Sequence, residues 1–240
     1  MIVGDIKPIE EIIQSISGYE KILIVGCGSC VSVCLSGGDR EVQMLAQELN
    51  RKVYNRAEPS PITVDVILRQ CELDLIQSYH DLPEGTDAVI SLACGAGVQT
   101  LADAFDPVPV IPGLNTTFLG ASFEPGIWQE MCRGCGDCVL TYTGGICPVA
   151  RCAKSLLNGP CGGSNGRSCE INPDVPCAWG EIYQRLSRQN KLHLIHEVQK
   201  PKDWRSGGAA GPRSRKRTGI AGSPGFQREG EKEGHSSNQR

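Results

Sequence analysis

Eight cysteines lie between residues 132 and 177, on a stretch broken by glycines and almost empty of aliphatic runs. A segment with so little apolar surface cannot hold a fold by burial alone, so something covalent or coordinated must staple it. The group opens as Cys132-x2-Cys135-x2-Cys138, continues with Cys147-Pro148, and ends with Cys152, Cys161, Cys169 and Cys177. Two-residue gaps let successive sulfurs curl around one centre, as in the bacterial ferredoxin run, where three close thiols precede a Cys-Pro pair. Here eight residues rather than three separate Cys138 from Cys147, so spacing does not say which centre Cys147 serves. Eight thiols suit two [4Fe-4S] clusters, or one cluster and one zinc held by four thiolates.

The choice between disulfides and metal turns on compartment. The opening residues "MIVGDIKPIEEIIQSIS" lack a basic segment followed by an apolar one, and no stretch has the roughly 18 apolar residues of a membrane span. The expectation is a cytoplasmic protein without a membrane span, whose thiols stay reduced and bind metal. Glycines in "RGCGDC", "TGGIC" and "NGPCGGSNG" favour iron-sulfur chemistry, because an unhindered backbone can aim N–H groups at sulfur. Zinc is the alternative metal. A zinc ribbon, however, pairs two Cys-x2-Cys knuckles, and no second such pair follows Cys138.

Residues 1–120 read differently. Pro8, Glu10 and Glu11 open an amphipathic helix with Ile9, Ile12, Ile13 and Ile16 at helical spacing. Strand-like runs follow in "KILIVGCG", "PITVDVILRQC", "TDAVISLACG" and "VPVIPGLN", the first three each followed by a helical pattern such as "GDREVQMLAQELN" or "VQTLADAF". This alternation predicts an α/β domain with a doubly wound, mostly parallel sheet, whose ligand crevice lies at the carboxyl ends of the strands. Cys27, Cys30, Cys34 and Cys94 fall at or just past those ends and form a second candidate metal site, by iron or zinc. Cys71 is expected to be a buried thiol rather than a ligand. A dinucleotide reading of "GCGSCV" departs from the fingerprint, since Val31 stands where its third glycine belongs.

Three regions result: an α/β domain over 1–120, a cysteine-rich cluster region with a C-terminal helix over 121–200, and a basic tail over 201–240. The tail carries nine Lys or Arg against four acids, net +5, which leaves −8 for the rest of the formal −3. An acidic body argues against nucleic acid as partner. The tail's Gly, Ser and Pro content predicts no fixed structure. In the helix "WGEIYQRLSRQ", the stripe Trp179, Ile182, Tyr183 and Leu186 predicts core packing. His80, His193, His196 and His235 suggest no ligand set, and no Ser-His-Asp or paired-carboxylate arrangement marks a catalytic or organic cofactor site.

The string "CRGCGDCVLTYTGGICPVARCAKSLLNGPCGGS" at 132–164, with "GCGSCVSVC" upstream, resembles the methylenetetrahydrofolate reductase C-terminal-like family over about residues 1–200. Members are cysteine-rich V-type subunits that accompany a flavin-bearing methylenetetrahydrofolate reductase barrel. The resemblance implies an iron-sulfur accessory subunit, itself non-catalytic, relaying electrons in one-carbon metabolism. Its partners would be the flavin-containing subunit and a further electron-donor protein. Two other classes fit the residues alone: a zinc-stapled scaffold or protein-interaction subunit without redox role, and a free-standing nucleotide-dependent oxidoreductase.

Overall fold

The computed structural model describes residues 1–55, 60–77, 82–207 and 211–214. The helical pattern expected to run on to residue 82, His80, His235 and the basic tail from 215 onward fall wholly or partly outside the described residues.

Four strands form the parallel sheet: β2 (Ile22–Cys27), β3 (Ile62–Ile67), β4 (Ala88–Leu92) and β5 (Val110–Pro112), in spatial order β3-β2-β4-β5. Every residue of β2 and β4 is buried, as central strands covered on both faces require. Side chains alternate between two cores. Ile22 and Ile24 pack with Ile12 and Ile16 of the first helical segment, α1 (Ile9–Ser15 and the cap that follows), and with Val42, Leu45 and Leu49 of α3 (Asp39–Lys52). Leu23 and Val25 pack on the opposite face with Ile76 of α4 (Leu73–Gln77) and Leu101 of α5 (Gly95–Phe105). The sheet is therefore wound on both faces, and the strand order reverses between β2 and β4.

Buried Gln70 ties the carboxyl ends together. Its side-chain amide donates to Val25 O at 3.0 Å and Gly26 O at 2.9 Å, and accepts from Ser91 Oγ at 2.6 Å. A short helix, α2 (Cys30–Val33), and the loop after it lie over the same edge. Cys27 N donates to Gly37 O at 2.8 Å, and a Cβ on Gly37 would collide with Leu92 O. The chain's own loop thus lies against the switch point, where a doubly wound sheet ordinarily receives its ligand.

A second sheet corrects the expectation of one mostly parallel sheet. β1 (Ile2–Ile6), β6 (Leu114–Glu124) and β7 (Ile127–Cys132) pair antiparallel in the order β1-β6-β7. Pro125 and Gly126 make the tight turn between β6 and β7, with Gly126 at φ +82°. These strands are mostly half-buried or exposed, so their composition is mixed and they lack the aliphatic run of a central strand. The ladder carries the chain out of the α/β body and delivers Cys132 at its last residue.

Beyond it lie α6 (Pro148–Arg151), α7 (Ala178–Arg188) and two 3-10 turns at Leu192–His196 and Trp204–Gly207. A small core of Ile146, Trp179, Ile182 and Leu186 joins them. Tyr183, expected in that apolar stripe, is 56% exposed, because it stands at the edge of the α7 face that Ile182 and Leu186 bury. No described helix is long and apolar enough to cross a membrane.

Candidate metal centre

β7 ends at Cys132 and the chain then folds into a glycine knuckle. Gly134 at φ +61° and Gly136 at φ +79° occupy left-handed backbone that a side chain resists. That geometry turns Gly134 N–H onto Cys132 Sγ at 3.3 Å, while the Cys135 thiol donates to Asp137 O at 3.5 Å. Arg133 pairs with Glu130 at 3.1 Å and reaches Ser155 Oγ at 3.5 Å, linking the knuckle to the turn after α6.

The start of the supposed tail is bound to this knuckle. Lys202 is buried, its ammonium donating to Asp137 O and standing 3.4 Å from Asp137 Oδ2. Ser206 Oγ donates to Cys135 O at 2.9 Å. Residues 202–207 therefore form a strap across the Cys135–Asp137 turn, a correction to the reading of everything after 201 as unstructured. Polar side chains with specific partners hold it, which a composition rule does not register.

The later thiols sit farther down the same region. Cys147 caps the start of α6 and Cys152 its end, with α6 packed against β7. Cys177 caps α7. A short antiparallel bridge between Ser168 and Pro176, with Cys169 N donating to Val175 O at 2.8 Å and Cys177 N to Arg167 O at 2.9 Å, sets Cys169 and Cys177 on facing segments. Cys152, Cys161, Cys169 and Cys177 line one cavity, with Trp179 in its wall. Trp179 Nε1 donates to Leu156 O at 2.9 Å, which fixes the ring. Around the cavity the Cys161 thiol donates to Glu170 Oε2 at 3.2 Å, Glu170 pairs with Lys154, and Ser164 Oγ meets Cys177 Sγ at 3.1 Å. Hydrogen bonds from the backbone of Asn172 and Ile171 hold the Cys169 thiol below its ordinary range.

The strand-end thiols are placed less alike than their spacing suggested. Cys27 and Cys34 are buried in the main core; the Cys34 sulfur lies 3.1 Å from Ser36 Oγ and 3.6 Å from Val31 O. Cys30 and Cys94 are partly exposed. A backbone hydrogen bond from Ile2 is the main cause holding Cys30 below its ordinary range. Cys71, expected to be buried, is exposed, because the inward position at the end of its loop is taken by Gln70. Burial of part of its surface, then the Cys94 and Cys27 thiols nearby, push the Cys71 thiol up. Sequence reasoning set Cys71 apart from this group, whereas the structure places it beside Cys94 and Cys27.

All 13 cysteines are free thiols. Among the described residues, no three or more His, Cys, Asp or Glu side chains converge tightly enough to hold a single metal ion. The structure brings Cys152, Cys161, Cys169 and Cys177 to one cavity and holds Cys132 and Cys135 in a hydrogen-bonded glycine knuckle, where Gly134 N–H is aimed at Cys132 Sγ.

Residues 111–205 match the family model described as methylene-tetrahydrofolate reductase C terminal. The resemblance carried by the cysteine string holds over this stretch. The matched methylene-tetrahydrofolate reductase C-terminal segment contains β6, β7, the knuckle, the cavity, α7 and the strap as far as Arg205. It holds all eight thiols from Cys132 to Cys177, while Cys27, Cys30, Cys34, Cys71 and Cys94 lie outside it. No curated protein and no solved structure matches the chain.

Proposed function

We propose that this chain is an iron-sulfur accessory subunit of a methylenetetrahydrofolate reductase assembly, relaying electrons and docking on a flavin-containing subunit. The observation that carries the reading is the family match over the one segment that gathers eight free thiols. Cys132, Cys135, Cys138, Cys147, Cys152, Cys161, Cys169 and Cys177 are the ligands in this reading, and Cys27, Cys30, Cys34 and Cys94 a further candidate set for iron or zinc.

A bound iron-sulfur cluster supplies one-electron transfer. This chain's residues do the rest. Gly134 N–H and the backbone at Ile171 and Asn172 donate to ligand sulfurs, which stabilises the thiolate form and raises the reduction potential relative to bare thiolates. The strap through Lys202 and Ser206 fixes the turn on which Cys135 and Cys138 stand. The loop lying against the strand ends weighs against a free-standing nucleotide-dependent enzyme, because the usual nucleotide crevice is occupied by Gly37 and its neighbours.

Two measurements on protein purified without oxygen test this. Iron and acid-labile sulfide should be present with broad visible absorption, and co-expression with a flavin-containing reductase subunit should give one co-eluting complex. The isolated chain should bind no flavin. Zinc in place of iron would favour the scaffold reading, and separate elution of an iron-loaded chain would refute the subunit assignment.

A further inference from the structure

We infer that Cys152, Cys161, Cys169 and Cys177 form one complete four-thiolate site, and that Cys147 serves with Cys132, Cys135 and Cys138 in a second. This rests on the iron-sulfur reading above and goes beyond it by saying which sulfurs share a centre.

The first group is given by the cavity. Four of its lining residues are cysteines, and each arrives on a different piece of backbone. Cys152 comes from the end of α6, Cys161 from the glycine turn after Pro160, Cys169 from one side of the Ser168–Pro176 bridge, and Cys177 from the other side as the cap of α7. A cubane needs ligands approaching from four directions, since every thiolate takes its own iron corner. Loading would be a ligand exchange: the four thiols replace the four terminal thiolates of a [4Fe-4S] core delivered on a thiol carrier, the released carrier thiolates take up the four protons, and the oxidation state of the core is unchanged. When the Cys161 proton leaves, Glu170 keeps a partner in Lys154, so ligation strands no carboxylate at the rim.

The second group follows from what the cavity leaves over. In two-cluster ferredoxins the thiol of the Cys-Pro pair crosses to the other cluster. Here the other site already has its four sulfurs, and Cys147 does not line it. Cys147 instead starts α6, which packs on β7, the strand that ends in Cys132. The fold therefore keeps Cys147 with its own run, the reverse of the ferredoxin exchange.

The test is grouping by double substitution in the full-length chain, loaded with iron and sulfide without oxygen. Cys138→Ser, Cys147→Ser and Cys169→Ser should each lose about half the iron, a fall from about eight to about four per chain. Cys138→Ser with Cys147→Ser should stop at half, whereas Cys147→Ser with Cys169→Ser should lose nearly all. Cys147→Ser adding nothing to Cys169→Ser would overturn the assignment. A measurement on the unsubstituted chain guards against variants that fail to fold: during slow removal of metal by a chelator, thiol alkylation read by mass spectrometry should appear in two sets. Cys152, Cys161, Cys169 and Cys177 should become reactive together, and Cys132, Cys135, Cys138 and Cys147 together. A different partition, or eight thiols released in one step, overturns the inference. Absence of iron combined with the expected two sets would overturn the iron-sulfur reading alone and leave the grouping standing.

Discussion

The α/β body and the cysteine region are stabilised by different physics. β2 and β4 are buried along their whole length, and two cores of aliphatic side chains clamp them from both faces. The cysteine region has one small core around Trp179 and Ile182, and a backbone that bends through Gly134, Gly136, Gly144, Gly145, Gly159 and Gly166 at positive φ. Burial of apolar surface contributes roughly 25 cal/mol per Å2, so the first half can stand on its own packing, while the second, in the iron-sulfur reading proposed above, would draw most of its folding free energy from ligation. The contrast teaches where damage should spread and where it should stop.

The largest effect should come from taking a sulfur out of the knuckle. Cys135→Ser is expected to remove iron from its site and to make the segment from about 121 to 151 sensitive to protease, with the melting of the α/β body retained. Unchanged iron content together with unchanged protease resistance would erase the distinction between the halves. Next in size is a cavity in the packed half. Ile90, fully buried in β4, should cost about 2–5 kcal/mol when replaced by alanine. Denaturant unfolding would show this as a lower midpoint with metal content unaffected; a loss of iron in step with stability would mean that the halves unfold as one.

A smaller effect is expected at Gly136. Alanine there meets both the left-handed backbone and the Ser206 carbonyl, so the strap must lift at a cost of about 1–3 kcal/mol. Hydrogen exchange at 202–207 should speed up while exchange in β2 and β4 stays slow; equal protection in variant and parent would show that the strap adds nothing. At the bottom of the scale, Glu10→Gln removes an exposed ion pair, 3.5 Å from Lys52, and should move stability by no more than about 0.5 kcal/mol at ordinary salt. A shift above about 1 kcal/mol would mean that the packed half leans on surface charge after all.

How much of this was legible in the sequence follows the same divide. The parallel strands could be read because central strands are continuous aliphatic runs, and the helices because Ile12 and Ile16, or Val42, Leu45 and Leu49, recur at helical spacing. β6 and β7 could not be read that way, since strands open to solvent carry Asn115, Thr116, Gln129 and Glu130 among their residues. The Pro125-Gly126 pair was the signal that could have exposed the hairpin. The knuckle was legible from two-residue gaps and flanking glycines. The grouping of Cys152 with Cys161, Cys169 and Cys177 was not, because it depends on a bridge between Ser168 and Pro176 and on the placing of α7, neither of which leaves a period in the chain. Cys71 was misread for a related reason: which of two neighbours, Gln70 or Cys71, turns inward is decided by the carbonyls of Val25 and Gly26, far away in sequence.

The antiparallel ladder also sets an order of events in time. Ile2 pairs with Leu119, and the strand that contains Leu119 pairs in turn with the one ending at Cys132. During synthesis β1 must wait until β6 has been made, and loop closure over so long a span is slow compared with local folding. The shelf that carries the knuckle is therefore finished late, after the α/β body has had time to settle and while the remaining thiols are still being added. In the iron-sulfur reading proposed above, metal loading would then be the closing step of the chain's maturation. Until then the free thiols of that region would stand open to oxygen and to mispairing, which would make the interval between synthesis and loading the vulnerable one.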